Sequence, residues 1–213
     1  MTPKCIFFDL DGTLTDSGPG IISCAKATLA HYGYEVPDDA TMRTMVGPPL
    51  RQSFARFGFP AEQVDEAVVH YRKLYVAGGK YENTPYPGVC ELLEKLRNDG
   101  HRLFVATSKP EHMSVDILQH FHMDHYFEYI CGALVDGIRD KKSAVIAHLM
   151  ETVGSCDNIV MVGDTVFDVL GAAEHAIPTI AVSWGYGEED DMVKAGAVAV
   201  AHTMDELYSL LSK

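Results

Sequence analysis

The sequence has no apolar run near the roughly 18 residues that a membrane-spanning helix needs, so nothing in it reads as a membrane anchor. Basic residues are scarce: 17 Lys and Arg stand against 30 Asp and Glu, a formal charge of −13. That surplus argues against nucleic acid and acidic membranes as main partners, while leaving room for a local positive pocket that takes a small phosphate. The five cysteines (Cys5, Cys24, Cys90, Cys131 and Cys156) contain no CxxC pair and read as reduced thiols of a cytoplasmic protein. His112, His120, His122 and His125 fit no structural-zinc spacing and read as a solvated helix and loop. There is no internal repeat and no low-complexity tract. The start, Met1 to Cys5, lacks a secretory leader pattern, because the charged end runs straight into a strand with no small-residue cleavage site.

What is present is a chain of 213 residues, 47% hydrophobic, enough for one large domain or a domain with an insert. Apolar runs of about four residues recur at Cys5–Phe8, Leu103–Ala106, Tyr129–Cys131, Ile159–Val162 and Thr179–Val182, with a weaker one at Ala197–Ala201. Between them lie segments of helical spacing: 89–98, 113–120, 143–152, 166–175, 190–195 and 205–211. Strands alternating with helices predict right-handed crossovers and a Rossmann-like parallel α/β sheet in three layers. Residues 16–82 break the alternation. Ile21, Ala25 and Leu29 recur at helical spacing, as do Val64, Ala67, Val68 and Tyr71, and Asp38–Val46 and Leu50–Phe57 read as short helices. No strand-like run lies among them, and the stretch is too long for a crossover. The expected organisation is an α/β core at 1–15 and 83–213 with an all-helical insert at 16–82.

Three strands end in polar groups. The first runs into Asp9-Leu10-Asp11-Gly12-Thr13, the second into Thr107-Ser108-Lys109-Pro110, and the fourth into Gly163-Asp164 with Asp168 four residues on. In a parallel sheet these ends share one edge, where open α/β sheets bind ligands. Asp9 and Asp11 repel each other unless a cation or a shared proton stabilises the pair.

Asp9-Leu10-Asp11-Gly12-Thr13 resembles the DxDG(T/V) signature of the haloacid dehalogenase (HAD) superfamily of phosphohydrolases. The superfamily's other three motifs follow in order, so the resemblance covers essentially the whole chain. It implies that Asp9 is a nucleophile that forms an aspartyl-phosphate, and that Asp11 is the general acid/base. It places Gly12, Thr13, the Thr107 hydroxyl and the Ser108 N–H around the phosphate. A lysine before a helix carries the third motif, and both Lys141 and Lys142 qualify. Lys142 is favoured, because Lys142-Ser143-Ala144-Val145-Ile146 resembles the K-(A/S)-x-V-I run of phosphoglycolate phosphatase-like and 5′-nucleotidase-like members. Asp164 matches a metal ligand, with Asp9 and the Asp11 carbonyl completing an oxygen site for Mg²⁺, and Asp168 an orienter. The insert resembles a type-1 helical cap, whose loop Gly47–Arg51, Arg51 included, would touch substrate. Thr15, Asp16 and Ser17 lie in the flap after the first motif.

The expected activity is Mg²⁺-dependent hydrolysis of a small phosphorylated metabolite, of phosphoglycolate or nucleotide type, by a monomer or homodimer. A β-phosphoglucomutase-like sugar phosphomutase is the alternative, though the insert has few cations for a second phosphate site. A non-catalytic binding protein on the same scaffold is the other. Lys109 could reach the substrate or the cap, but reads first as a surface lysine before Pro110. Trp184-Gly185-Tyr186-Gly187 follows a strand but lacks the rest of a nucleotide-binding fingerprint, and reads as a loop at the rim.

Overall fold

The computed structural model describes residues 3–134 and 139–213. Packing divides the chain into two compact units, Met1–Thr15 with Pro85–Lys213, and Asp16–Thr84. In chain order, β1 (Cys5–Phe8) is followed by β2 (Thr15–Asp16), α1 (Gly18–His31), α2 (Asp39–Arg43), α3 (Leu50–Arg56), α4 (Ala61–Ala77) and β3 (Thr84–Pro85). The alternation then resumes with α5 (Val89–Asn98), β4 (Arg102–Pro110), α6 (Glu111–His120), β5 (Tyr129–Ala133) and α7 (Lys142–Val153). It closes with β6 (Ile159–Gly163), α8 (Val166–Ala173), β7 (Thr179–Val182), α9 (Glu189–Ala195), β8 (Ala199–Ala201) and α10 (Met204–Leu211).

The larger unit is a six-stranded sheet in the order β5-β4-β1-β6-β7-β8, parallel throughout. Alternate residues of β1 serve opposite layers, as the pleat requires. Ile6 and Phe8 join Leu92, Leu93 and Leu96 of α5 and Leu207 and Leu211 of α10. Cys5 and Phe7 join Val145, Ile146 and Leu149 of α7 and Ala172 of α8. All four β1 residues are buried, so the strand carries no polar face. The sheet's order reverses at β1: the chain builds outward through β4 and β5 on one side, then through β6, β7 and β8 on the other. Ligand crevices of doubly wound sheets lie at the carboxyl ends of strands at such a reversal.

A strand end and a helix end differ from expectation. β4 does not stop at Ala106 but runs to Pro110, with its register against β5 shifting between Ala106 and Pro110. An irregularity of this kind re-aims the side chains it carries. Thr107, Ser108 and Lys109 therefore belong to the strand rather than to a loop after it. In the helical unit, α2 ends at Arg43 rather than Val46. The amides of Thr44, Met45 and Val46 each bond the carbonyl three residues back, so the chain tightens before Gly47. The core of this unit is aromatic. The Phe54 ring meets Phe59 and Tyr71 edge-on, and Tyr71 stacks on Tyr75.

The reading of all five cysteines as reduced thiols is overturned. Cys5 and Cys156 form a disulfide, with Cα atoms 5.9 Å apart. Cys5 opens β1 and pairs in register with Ile159 of β6, so the segment just before β6 lies beside it. A separation of 151 residues hides that neighbourhood from any spacing pattern. The argument for a reducing compartment falls with it. Among the described residues, no helix is long and apolar enough to cross a membrane.

Unreduced protein, denatured and treated with a thiol reagent, should therefore titrate three thiols, Cys24, Cys90 and Cys131. After reduction it should titrate all five. Five thiols without reduction would refute the pairing.

Candidate active site

The three neighbouring strands β4, β1 and β6 bring their polar ends to one edge of the sheet. Asp9 continues the ladder of β1, its N–H donating to Val162 O at 2.9 Å. The chain then turns sharply, and the amides of Leu14 and Thr15 both reach back to Leu10 O. Gly12 sits in this turn at φ +84°, and a Cβ there would lie 2.1 Å from Asp164 Oδ2, so both the backbone and the space demand glycine.

Of the two candidate lysines, Lys142 is the one that lies among the acidic side chains. Its side chain is buried, with Nζ 2.8 Å from Asp9 Oδ1, 2.7 Å from Asp168 Oδ1 and 2.9 Å from Ala106 O. Lys141, the other candidate, is exposed at the cap of α7. An ammonium has three protons, and three acceptors surround this one. Burial by itself would push its pKa down, but the charges of Asp168 and Asp9 more than offset that and hold it above the ordinary lysine range.

Asp164 is held from several directions. The Thr13 hydroxyl donates to its Oδ1 at 3.0 Å, and the Tyr186 N–H to its Oδ2 at 2.9 Å. Gly185 packs so closely that a Cβ there would fall 2.3 Å from the carboxylate. Trp184 anchors the same loop through Nε1, which donates to Thr13 O at 3.2 Å. Asp168 accepts from the Thr165 N–H and hydroxyl, closing a capping box at the start of α8.

Asp9, Asp164 and Asp168 are buried, with ligand oxygens within 4.8 Å of one another. Burial pushes Asp9 up to about 6, aided by the Asp168 and Asp11 charges and opposed by Lys142. Burial also pushes Asp164 well above the carboxylate range, with Asp168 and Asp9 adding to it. Three carboxylates share one ammonium, so the cluster is short of positive charge. A hard divalent cation with oxygen ligands fits that deficit in charge and in chemistry.

Of the other expected residues, Thr107 is buried and its Oγ1 accepts from the Lys109 N–H at 3.2 Å, while Ser108 is half-buried beside it. Thr13 spends its hydroxyl on Asp164. The Asp11 carboxylate lies apart from the three-carboxylate group and pairs with Lys109, Nζ to Oδ2 at 2.6 Å. The surface reading of Lys109 is thus corrected: its side chain is 5% exposed. Arg51 lies in the helical unit, on α3, where it is exposed and ion-paired with Asp65. His112, His120, His122 and His125 are all exposed. Sequence reasoning missed the anchoring of Asp164 by Gly185 and Tyr186 and the burial of Lys109. A lysine directly after Thr-Ser at a strand end was the available signal for the latter.

Comparison with known proteins bears on the family and the fold. The family model described as haloacid dehalogenase-like hydrolase matches residues 6–182. The chain is 43% identical to the tyrosine-protein kinase PtkA of Mycobacterium tuberculosis, over 99% of this chain and 73% of that protein. It is 42% identical to a 5′-nucleotidase of Pseudomonas aeruginosa, over 88% of this chain and 86% of that protein. Its fold matches the crystal structure of a predicted phosphatase from Clostridium acetobutylicum with a TM-score of 0.94 at 37% identity, covering 100% of this chain and 99% of the other.

Two measurements test the site's electrostatics. Lys142→Met strands two buried carboxylates, and should cost about 3–5 kcal/mol in urea unfolding; a loss below about 1 kcal/mol, the scale of an exposed ion pair, would contradict the buried arrangement. A divalent cation at about ten times its Kd adds ~1.4 kcal/mol to the folded state. That should raise the thermal midpoint by about 3–6 °C for a chain of this size. Asp164→Asn should abolish the rise, and an undiminished rise in that variant would exclude Asp164 as a ligand.

Proposed function

The chain belongs to the haloacid dehalogenase-like hydrolase family, and we propose that it hydrolyses small phosphomonoesters through an aspartyl-phosphate on Asp9, with Mg²⁺ as cofactor. The observation that carries this reading is Lys142, placed against Asp9 and Asp168 at the carboxyl edge of the central strands. An ammonium there keeps Asp9 available as an anion despite burial, which is what a carboxylate nucleophile needs.

In the first half-reaction an Asp9 oxygen attacks phosphorus, the bond to the alcohol oxygen breaks, and Asp11 gives that oxygen a proton. In the second, water attacks phosphorus and gives a proton to Asp11. The bond to Asp9 then breaks, and inorganic phosphate leaves with Asp9 restored. One carboxylate thus acts as acid and then as base, and dividing one displacement into two lowers each barrier. The Thr107 hydroxyl keeps its own proton for a phosphoryl oxygen, with the Ser108 N–H beside it. Asp9, Asp164 and the Asp11 carbonyl are the residues that would hold Mg²⁺, which when bound supplies positive charge to the phosphoryl oxygens. Asp168 serves this group through Lys142 and Thr165. The helical unit, Asp16–Thr84, is assigned the choice of substrate, as inserted caps have in the superfamily the sequence resembles.

A second reading comes from the kinase name of the mycobacterial relative. A phosphoryl group on Asp9 can in principle pass to a tyrosine hydroxyl instead of water. Hydrolysis is preferred because nothing described at this sheet edge marks out a place for a second, macromolecular acceptor.

The test is phosphate release, with and without Mg²⁺, from nucleoside 5′-monophosphates, phosphoglycolate, hexose phosphates and phosphotyrosine. Mg²⁺-dependent release is expected, and Asp9→Asn should lower it by at least about a thousandfold while the protein stays folded, on the scale seen when a covalent nucleophile is removed. Undiminished turnover by Asp9→Asn would sink the covalent mechanism. Label passing from ATP to a tyrosine peptide, with no release to water, would instead favour the second reading.

A further inference from the structure

The pairing of Lys109 with Asp11 is not part of the chemistry described above, and its construction is specific. Both side chains are largely withdrawn from water, 5% and 16% exposed, at 2.6 Å. Among the described residues, one carboxylate oxygen of Asp11 is engaged. The other, Oδ1, is buried and has no hydrogen-bond partner among the described residues. Buried carboxylate oxygens are almost always partnered, and an orphan at a reactive edge calls for a functional account.

The segment that carries Lys109 is held with equal care. The register of β4 against β5 shifts between Ala106 and Pro110, an irregularity of the kind that re-aims side chains, and Lys109 Nζ reaches Asp11 in the turn after β1. Gly132 on β5 lets the backbone pass so closely that a Cβ there would lie 2.5 Å from Glu111 Cα and 2.6 Å from Lys109 O. Glu111 Oε2 accepts from the Gly132 N–H at 3.2 Å and from Arg139 Nη2 at 2.6 Å. Arg139, itself buried, also donates through Nε to Gly132 O at 2.8 Å. The glycine packs on the Lys109 carbonyl and on Glu111, and the buried arginine holds Glu111, so the chain is fixed at and just after Lys109.

We infer that Lys109 is a positioning residue for the breakdown of the aspartyl-phosphate, gripping one oxygen of Asp11 so that the other is kept unpartnered, in one orientation, as the proton acceptor for the attacking water. In that step the water oxygen bonds to phosphorus, its proton goes to Asp11 Oδ1, and the phosphorus–oxygen bond to Asp9 breaks. A carboxylate free to rotate would present that oxygen only part of the time, and orientation of a reacting group is a large share of catalysis. The inference rests on the reading of Asp9 as nucleophile and Asp11 as base.

The experiment uses p-nitrophenyl phosphate with Mg²⁺, because p-nitrophenoxide departs without a proton from Asp11. Lys109→Met should then leave formation of the phosphoenzyme near the wild-type rate while its hydrolysis slows. Steady-state turnover should fall about ten- to a hundredfold, part of what a general base contributes. A burst of about one p-nitrophenol per active site should appear, and acid quenching should trap more phosphoenzyme than in the wild type. Lys109→Leu, which likewise removes the donor, carries the same test should Lys109→Met not fold. Asp11→Asn should show the same accumulation. Three results would overturn the inference: a raised KM with turnover unchanged, equal losses in formation and breakdown of the phosphoenzyme, or no change. The underlying reading fails separately, if acid-stable phosphoenzyme persists in Asp9→Asn or never forms in any variant.

Discussion

The buried ammonium of Lys142 is the constraint on which the larger unit depends. Lys142 Nζ meets Asp9 at the end of β1, the Ala106 carbonyl on β4, and Asp168 on α8. It therefore ties two adjacent strands and a helix to the start of α7. Bringing a lysine out of water is costly unless its protons find acceptors and its charge finds partners, and here both conditions are met. The same contact leaves Asp9 an anion in a place that would otherwise favour its neutral form.

Around that contact the fold concentrates negative charge beyond what one lysine can balance. Asp164 sits between the Thr13 hydroxyl and the Tyr186 amide, with no cationic side chain among these contacts. Such a cluster is not how a fold optimises its own stability, since like charges and burial both act against it. Uncompensated buried carboxylates are instead a mark of a site made for a cation and for the charge of a reacting group. The loop Trp184–Gly187 is part of the device, because it closes over Asp164 by backbone contact.

Much of this was legible in the order of residues. The alternation of short apolar runs with helical spacing dictated a parallel sheet, since both signals are local and reflect burial along one chain segment. The strand ends at Asp9, Thr107 and Asp164 could be read as one edge before any coordinates, because topology alone brings them together. The element ends were less legible. β4 runs on to Pro110 because its pairing with β5 continues past a change of register, and pairing is not a property of the strand by itself.

What the sequence by itself determined, then, is the class of the fold, the family resemblance and the chemical character of the three strand ends. Hydrophobic periodicity and motif spacing are written along the chain, and they suffice for that. Only the tertiary structure set Lys142, and not its neighbour Lys141, against Asp9, paired Cys5 with Cys156, buried Lys109 against Asp11 and set Tyr186 on Asp164. Each of these depends on which groups meet across the sheet edge or between neighbouring strands, over separations of 22 to 151 residues for the last three named. Charge, burial and the count of acceptors around a proton are properties of that meeting, and no pattern along a single stretch of chain encodes them.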